Sequence, residues 1–235
     1  MSEPLLRVEH ITKRFGGFVA LNDVSIEVRE GERLGVIGPN GAGKSTLTNC
    51  ISGLLRPESG SIFFAGADVT HLPAHRRARA GIARSFQLPR PFRTMSLTQN
   101  LAIPRDYAAR GEAPDPRALL DRLGLGAKAD SLPGALTQIE LRKLELARAL
   151  AAQPRLVICD EAMAGLSHAE IDEMLVLLLQ LNEDGITILM IEHIMRAVMR
   201  FSQRIIVLDA GRKIADGPPE AILRDAEVER AYLGA

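Results

Sequence analysis

The sequence predicts an α/β fold, in which a mostly parallel core sheet is joined by an antiparallel β part and interrupted by an inserted helical segment. Continuous apolar runs at 156–159 and 186–191 are separated by a helical pattern, as buried parallel strands are. Alternating apolar residues at 6–13 and 24–28 indicate strands with one exposed face. Between about 88 and 133, prolines separate short helical patterns.

The first third of the chain is predicted to be rich in strands. After the two alternating strands, the mainly apolar residues 33–37 predict a buried strand. A helix is expected to begin at Lys44 and to end before Gly53, because glycine readily adopts the left-handed conformation of a helix C-cap. Residues 61–64 and 82–86 predict two further strands.

The middle of the chain is expected to be helical. Residues 116–123 place Leu119, Leu120 and Leu123 on one face, and an amphipathic helix is predicted over 140–152. The prolines that divide this region stand at positions 89, 91, 104, 114, 116 and 133.

The last third follows a β-α-β order that completes the sheet. It predicts helices at 168–182 and 194–200, strands at 204–208 and 212–215, and two short terminal helices. We therefore expect one domain over 1–235, with its core at 1–87 and 136–235 and a helical subdomain at about 88–135.

The composition of the chain disfavours several classes of function. Lysine plus arginine equal aspartate plus glutamate at 29 each, so the neutral chain gives no electrostatic case for nucleic acid as a partner. The N-terminus shows no signal-peptide pattern, and the longest apolar stretch, 174–181, is too short to cross a bilayer. Any membrane role is expected to go through a partner. Cys50 and Cys159 lack metal-ligand spacing and are expected to be buried apolar residues.

The most informative motif is a phosphate loop of the pattern G-x-x-x-x-G-K-[ST], between the strand 33–37 and the helix that begins at Lys44. Its glycines let the backbone curl and aim N–H groups at a polyphosphate. Lys44 is expected to reach the β- and γ-phosphates, and the Ser45 hydroxyl to bind Mg²⁺. The motif predicts a nucleoside triphosphate site built from Gly38, Pro39, Asn40, Gly41, Ala42, Gly43, Lys44, Ser45 and Thr46.

Two carboxylates, Asp160 and Glu161, directly follow the apolar strand 156–159. Ligands of open parallel sheets bind outside the carboxyl ends of strands, where both side chains are expected. Asp160 is predicted to hold Mg²⁺, and Glu161 to polarise the attacking water.

Gln87 and His193 also follow predicted strands and can face the same edge of the sheet. An amide at Gln87 could bind the metal or the water, and an imidazole at His193 could contact the γ-phosphate. From position alone a structural role remains open for each residue.

Together, these motifs occur in the order and spacing typical of ABC transporter ATP-binding subunits, which the sequence resembles over essentially its whole length. The resemblance implies the P-loop NTPase fold of ABC ATPases and ATP hydrolysis with Mg²⁺. It implies that Phe15, otherwise read as a core residue, stacks on adenine beside Val19. It also implies that Gln87 links the nucleotide site to the membrane partner and that His193 is the γ-phosphate switch. The turn at residues 165–168 is another of the motifs that carry this resemblance.

The resemblance implies partners as well. Such subunits dock on transmembrane permeases at the cytoplasmic face of the inner membrane and pair head to tail with a second ATP-binding subunit. An extracytoplasmic solute-binding protein belongs to the same systems. A finer resemblance, to importers of branched-chain and other hydrophobic amino acids, is carried by residues 13–17, 49–54, 83–87, 91–93, 191–193 and 231–234. Related subunits serve urea, amide, aromatic-acid and lipopolysaccharide systems.

One motif departs from the family. The L-S-G-G-Q signature aligns with Leu136-Thr137-Gln138-Ile139-Glu140, which has lost both glycines and the glutamine. An alternative alignment with residues 132–136 recovers one glycine, Gly134, but needs an insertion. In the family this loop closes over nucleotide bound to the opposite subunit. Side chains at Gln138 and Ile139 are expected to hinder that approach, and Glu140 to repel phosphate. A heterodimer with an intact partner is therefore expected.

Two other classes of protein share part of this pattern: soluble ABC ATPases, and P-loop kinases or GTPases. Soluble ABC ATPases of repair, translation or cofactor assembly usually carry coiled-coil insertions, duplicated cassettes or basic arms, and the sequence shows none of these. A GTPase would need an N-K-x-D motif to read its base, which the sequence lacks.

Overall fold

The computed structural model describes residues 3–85, 89–108 and 114–233, which form ten strands and nine α-helices. The strands are β1 (Leu6–Phe15), β2 (Phe18–Val28), β3 (Arg33–Ile37), β4 (Ser59–Phe64), β5 (Ala67–Asp68), β6 (Ile82–Ser85), β7 (Leu156–Asp160), β8 (Thr187–Ile191), β9 (Arg204–Asp209) and β10 (Arg212–Gly217). The helices are α1 (Lys44–Ser52), α2 (Ala74–Ala80), α3 (Leu97–Ala108), α4 (Pro116–Arg122), α5 (Gln138–Leu150), α6 (His168–Glu183), α7 (Met195–Phe201), α8 (Pro219–Ile222) and α9 (Ala226–Leu233).

The larger sheet positions the site. Its strands lie in the order β10-β9-β3-β8-β7-β6, with β10 antiparallel to β9 and the other neighbours parallel. Every residue of β7 and β8 is buried, because one face of the sheet packs against α5 and α6 and the other packs against α1 and the strands β1 and β2. The strands β3, β7 and β8 therefore end at one edge of the sheet. The predicted α/β fold with a mostly parallel core is confirmed.

The smaller sheet is antiparallel, in the order β2-β1-β4-β5. Its first hairpin is longer than predicted, because β1 continues past Lys13 and pairs Phe15 with Phe18 at the tip. Gly16 in the turn has a φ of 58°, the left-handed value that tight hairpin turns require and that glycine accepts without strain. The hairpin therefore presents two aromatic side chains next to each other.

The middle of the chain contains α3 and α4, followed by two short 3₁₀ turns, Gly126–Lys128 and Pro133–Ala135. The prediction that Pro104 separates helices is wrong, since Pro104 lies inside α3. Tertiary packing outweighs the lost backbone hydrogen bond there, because Leu97 and Leu101 of α3 are fully buried. They share one apolar core with Leu120 of α4 and Leu144 of α5. A separate subdomain at 88–135 stays a prediction.

Helix α5 begins two residues earlier than predicted, at Gln138. Thr137 and Glu140 form a capping box, in which each side chain accepts a hydrogen bond from the other residue's backbone N–H. Helix α2 was not predicted from the sequence at all. Gly53 caps α1 in the left-handed conformation, as expected. Within the ranges described, no helix is both long and apolar enough to span a lipid bilayer.

Candidate functional site

The phosphate loop connects β3 to α1 and has no room for larger side chains at two of its glycines. A Cβ on Gly38 would lie 2.1 Å from the carbonyl oxygen of Leu208, and one on Gly43 would lie 2.6 Å from that of Ala20. Gly43, at φ 101°, also precedes the first residue of α1. The loop therefore ends on the N-terminus of a helix, where unpaired N–H groups favour an anion.

Lys44 folds back against this loop. Its Nζ donates hydrogen bonds to the carbonyl oxygens of Gly38 at 2.7 Å and Pro39 at 2.9 Å. Partial burial lowers the pKa of Lys44, while the negative charges of Glu161 and Asp160 oppose that shift. The ammonium therefore stands at the loop with two acidic groups close enough to act on it.

An open cleft of about 220 Å³ lies beside the loop. It is lined by residues 40–46 of the loop, by Glu161 and by two exposed aromatic residues of the hairpin, Phe15 and Phe18, whereas Gly38 and Pro39 are not part of the lining. Phe15 therefore lines the cleft. Val19, which was expected beside it, is half-buried and does not line the cleft, whereas Phe18 does. Exposed rings beside a phosphate loop suit stacking on a planar base. The lining residues are Phe15, Phe18, Ala20, Asn40, Gly41, Ala42, Gly43, Lys44, Ser45, Thr46 and Glu161.

Asp160 and Glu161 are adjacent in sequence, but their side chains lie in different surroundings. Asp160 ends β7 with its side chain only 7% exposed. Glu161 has a φ of 48°, a left-handed value that costs a non-glycine residue about 1–3 kcal/mol. Its N–H donates to the carbonyl oxygen of Ile191 at 2.9 Å, which holds this conformation. The turn in the backbone places Glu161, but not Asp160, in the cleft lining.

Asp160 has a partner that the sequence analysis did not single out. Arg84 Nη2 donates to Asp160 Oδ2 at 2.5 Å, and Arg84 Nη1 donates to Asn49 Oδ1 at 2.6 Å. In the parallel register Arg84 lies opposite Ile158, so its side chain is on the same face of the sheet as Asp160, two residues further on. The sequence feature that could have indicated this contact is the charged residue Arg84 within the short predicted strand 82–86.

His193 follows β8 at the same edge of the sheet. Its side chain is 60% exposed and does not line the cleft. Glu192 beside it is buried, accepts a hydrogen bond from the Met163 N–H at 2.8 Å, and has its pKa raised by that burial. Gln87 lies outside the described residues.

The C-terminal helix also reaches the loop. Val228 of α9 packs in the apolar cluster that holds Ile37, the residue before Gly38. One helical turn later, Tyr232 lies near the Gly38 backbone, and partial burial raises the pKa of Tyr232. Nothing in the sequence pattern alone signals this contact.

The altered signature segment lies at the start of α5. Lys128 Nζ donates to both carboxylate oxygens of Glu140 at 2.7 Å, and Glu140 Oε2 also accepts from the Thr137 N–H at 2.8 Å. These contacts lower the pKa of Glu140, so it stays ionised, with its charge offset by Lys128. Gln138 Nε2 donates to the carbonyl oxygen of Ala164 at 3.4 Å. The helix N-terminus is thus already occupied by the chain's own side chains.

The oxygen donors near the loop fit Mg²⁺. Ser45 and Asp160 supply a hydroxyl and a carboxylate, the hard ligands that this ion takes alongside substrate phosphates. In the described part of the chain no three histidine, cysteine or acidic residues cluster as a metal cage.

Known proteins resemble this chain in sequence and in fold. The ABC transporter family matches residues 21–164, and the Branched-chain amino acid ATP-binding cassette transporter family matches residues 212–235. The High-affinity branched-chain amino acid transport ATP-binding protein LivG of Salmonella typhimurium is 40% identical, over 100% of this chain and 99% of LivG.

Two solved structures are similar throughout. The ADP conformation of MJ1267, an ATP-binding cassette of an ABC transporter, superimposes with a TM-score of 0.90 at 32% identity and covers 100% of both chains. The dimeric structure of MJ0796, a bacterial ABC transporter cassette, gives 0.81 at 26% identity, over 91% of this chain and 98% of that one. The chain therefore belongs to the ATP-binding subunits of ABC transporters, a family of ATPases.

Proposed function

We propose that this chain binds and hydrolyses ATP to drive an ABC importer of branched-chain or other hydrophobic amino acids. The observation that carries the proposal is the cleft in which the phosphate loop, Glu161 and two exposed aromatic rings meet. The amino-acid class is supported by the C-terminal segment at 212–235 and by the likeness to LivG.

In this proposal the cleft binds ATP along its length. Adenine stacks on Phe15 and Phe18, and the phosphates bind the loop N–H groups and Lys44. Lys44 binds a phosphate oxygen with the N–H donor that its two carbonyl contacts leave over. Ser45, Asp160 and Gln87 hold Mg²⁺, which neutralises charge on the phosphates when it is bound.

Glu161 is the proposed general base. Its carboxylate accepts a proton from water as the water oxygen bonds to the γ-phosphorus and the bond from phosphorus to the ADP oxygen breaks. The left-handed backbone at Glu161 aims the side chain into the cleft. His193 follows β8, the strand next to β7, and its side chain is exposed at the same edge of the sheet as Glu161. It is therefore proposed to contact the γ-phosphate once nucleotide is bound.

The permease is proposed to contact the segment 88–135, part of which lines an apolar groove of about 230 Å³ between α2, α3 and α5. Pro104 and Ala108 of α3 form one wall of the groove, and Ala149 and Ala152 form another. An exposed apolar concave surface suits the docking of a segment of another protein. The chain would then sit on the cytoplasmic face of the inner membrane.

A second ATP-binding subunit is proposed to pair with it head to tail, as a heterodimer. The capped N-terminus of α5 and the exposed Gln138, which donates to the carbonyl oxygen of Ala164, stand where a partner's nucleotide is proposed to bind. Ile139 does not obstruct that approach as expected from the sequence, because its side chain is buried in the core that α3, α4 and α5 share. The site built on this chain's own loop can still work with an intact signature from the partner. An extracytoplasmic solute-binding protein completes the proposed system.

The test is reconstitution in liposomes with the permeases and binding protein encoded beside the chain. Leucine should stimulate ATP hydrolysis and be taken up, and crosslinks to the permeases should come from the segment 88–135. Stimulation by urea, amides, aromatic acids or lipopolysaccharide instead would support a related transport system. A chain that associates with no membrane subunit would support a soluble ABC ATPase.

A further inference from the structure

Arg84 contacts Asp160, a proposed magnesium ligand, and also lines the apolar groove that is the proposed permease surface. Its guanidinium holds Asp160 at 2.5 Å and Asn49 at 2.6 Å, with a longer contact of 3.4 Å to Ser52 Oγ. Asn49 and Ser52 belong to the last turn and a half of α1, the helix that begins with Lys44. One side chain therefore ties β6, the end of β7 and the helix of the phosphate loop together.

The contact is well enclosed. The side chains of Arg84 and Asp160 are 11% and 7% exposed, so water screens their attraction only weakly. A guanidinium is planar and presents its N–H groups in a rigid fork, which fixes the direction of a carboxylate as well as its charge. With Nη2 on Asp160 and Nη1 on Asn49, the fork sets where the Asp160 carboxylate stands relative to α1.

We propose that Arg84 is the residue that positions the Asp160 carboxylate for magnesium. The inference rests on the proposed function, in which Asp160 helps to hold the ion. Outer partners that orient a ligand are worth about 10- to 100-fold in metal affinity when they are removed. Arg84 also lines the apolar groove, and it does not line the nucleotide cleft.

The experiment separates the metal from the nucleotide. A non-hydrolysable ATP analogue is titrated calorimetrically into the protein without divalent ions, and then at increasing Mg²⁺. For Arg84→Gln we expect the Mg²⁺ concentration at half effect to rise about 10-fold, with metal-free affinity for the analogue unchanged. Arg84→Lys keeps the charge but not the fork, and should shift the midpoint in the same direction by a smaller factor.

The matched control is Arg33→Gln. Arg33 is also a strand arginine that donates to an asparagine, Asn182, at 2.9 Å, but it lies at the opposite end of the sheet and touches no site residue. It should leave the Mg²⁺ midpoint as in the wild-type chain. Suppose that the Mg²⁺ midpoint is unchanged or lower in both Arg84 variants, while Asp160→Asn abolishes the Mg²⁺ effect. That result would contradict the role of Arg84 and leave the metal assignment of Asp160 intact. If Asp160→Asn keeps the full Mg²⁺ effect, the metal assignment in the proposed function fails instead.

Arg84→Gln could lose stability, because it leaves a buried carboxylate without its partner. Thermal unfolding of each variant shows whether this happens. If Arg84→Gln does not fold, Arg84→Lys decides the question, since an unchanged midpoint in that variant also contradicts the inference.

Discussion

Lys44 Nζ stands 2.7 Å from the carbonyl oxygen of Gly38, so the ammonium expected to bind phosphate is bonded to the loop that carries it. The two residues are six positions apart, and the loop closes on itself through this contact. An ammonium has three N–H donors, and the contacts of Lys44 with the carbonyl oxygens of Gly38 and Pro39 leave one that we expect to bind a phosphate oxygen when nucleotide binds.

Lys44→Ala should weaken ATP binding by about 10- to 100-fold, because charge-assisted hydrogen bonds to phosphate contribute about 1.5–3 kcal/mol. Calorimetry with the non-hydrolysable analogue measures the loss. Lys213→Ala is the control, since that lysine pairs with Asp216 on β10 at 3.0 Å and lies away from the cleft. Wild-type affinity in Lys44→Ala would contradict the phosphate-loop assignment.

Glu161→Gln should bind ATP as well as the wild-type chain and hydrolyse it about 10²- to 10⁴-fold more slowly. The amide keeps the size of the side chain but cannot accept the proton from water. Single-turnover hydrolysis with excess protein isolates the chemical step. Glu183→Gln, at the exposed end of α6, serves as the control. An unchanged single-turnover rate would show that another group is the base.

Phe18→Ala should lower affinity for ATP by about 3- to 10-fold, because it removes one aromatic face from the base end of the cleft. Inorganic triphosphate carries no base, so its affinity should not change. Tyr107→Ala removes an aromatic side chain that is exposed on α3, outside the cleft, and should have no effect on either ligand. Equal losses for ATP and triphosphate would place Phe18 outside base recognition.

The isolated chain should bind ATP but turn it over well below the enzyme median of about 10 s⁻¹. In a homodimer both composite sites would use the altered segment 136–140, whose helix N-terminus is closed by Thr137 and Glu140. Adding the partner subunit and the permeases should raise the rate. A robust rate from the chain alone would show that the missing glycines are dispensable.

Neither cysteine should react with Ellman's reagent in the native chain. Cys50 and Cys159 are at most 1% exposed, and burial raises the pKa of Cys50 to about 11, so little reactive thiolate forms at neutral pH. Two thiols should titrate after unfolding in guanidinium chloride. Rapid reaction of a native thiol would contradict the packing of α1 against the sheet or of α5 and α6 against β7.

The phosphate loop and the carboxylate pair could be predicted because their chemistry is local in sequence. Lys44 and Glu161 each stand next to a strand end, and the strand pattern fixes where those ends meet. The contacts of Arg84 with Asp160 and of Tyr232 with Gly38 join residues 76 and 194 positions apart, and depend on strand order and helix packing. Phe18 was missed because its position depends on a turn at Gly16 that extends the hairpin.

The shared core of α3, α4 and α5 has a mechanical consequence. Leu101, Leu120 and Leu144 pack together, so a force that tilts α3 also carries α5. One end of this unit forms a wall of the groove, and the other end is the capped start of α5 at Thr137. If the groove binds the permease as proposed, a displacement of α3 by that partner would be transmitted to the start of α5, where the second subunit is proposed to bind.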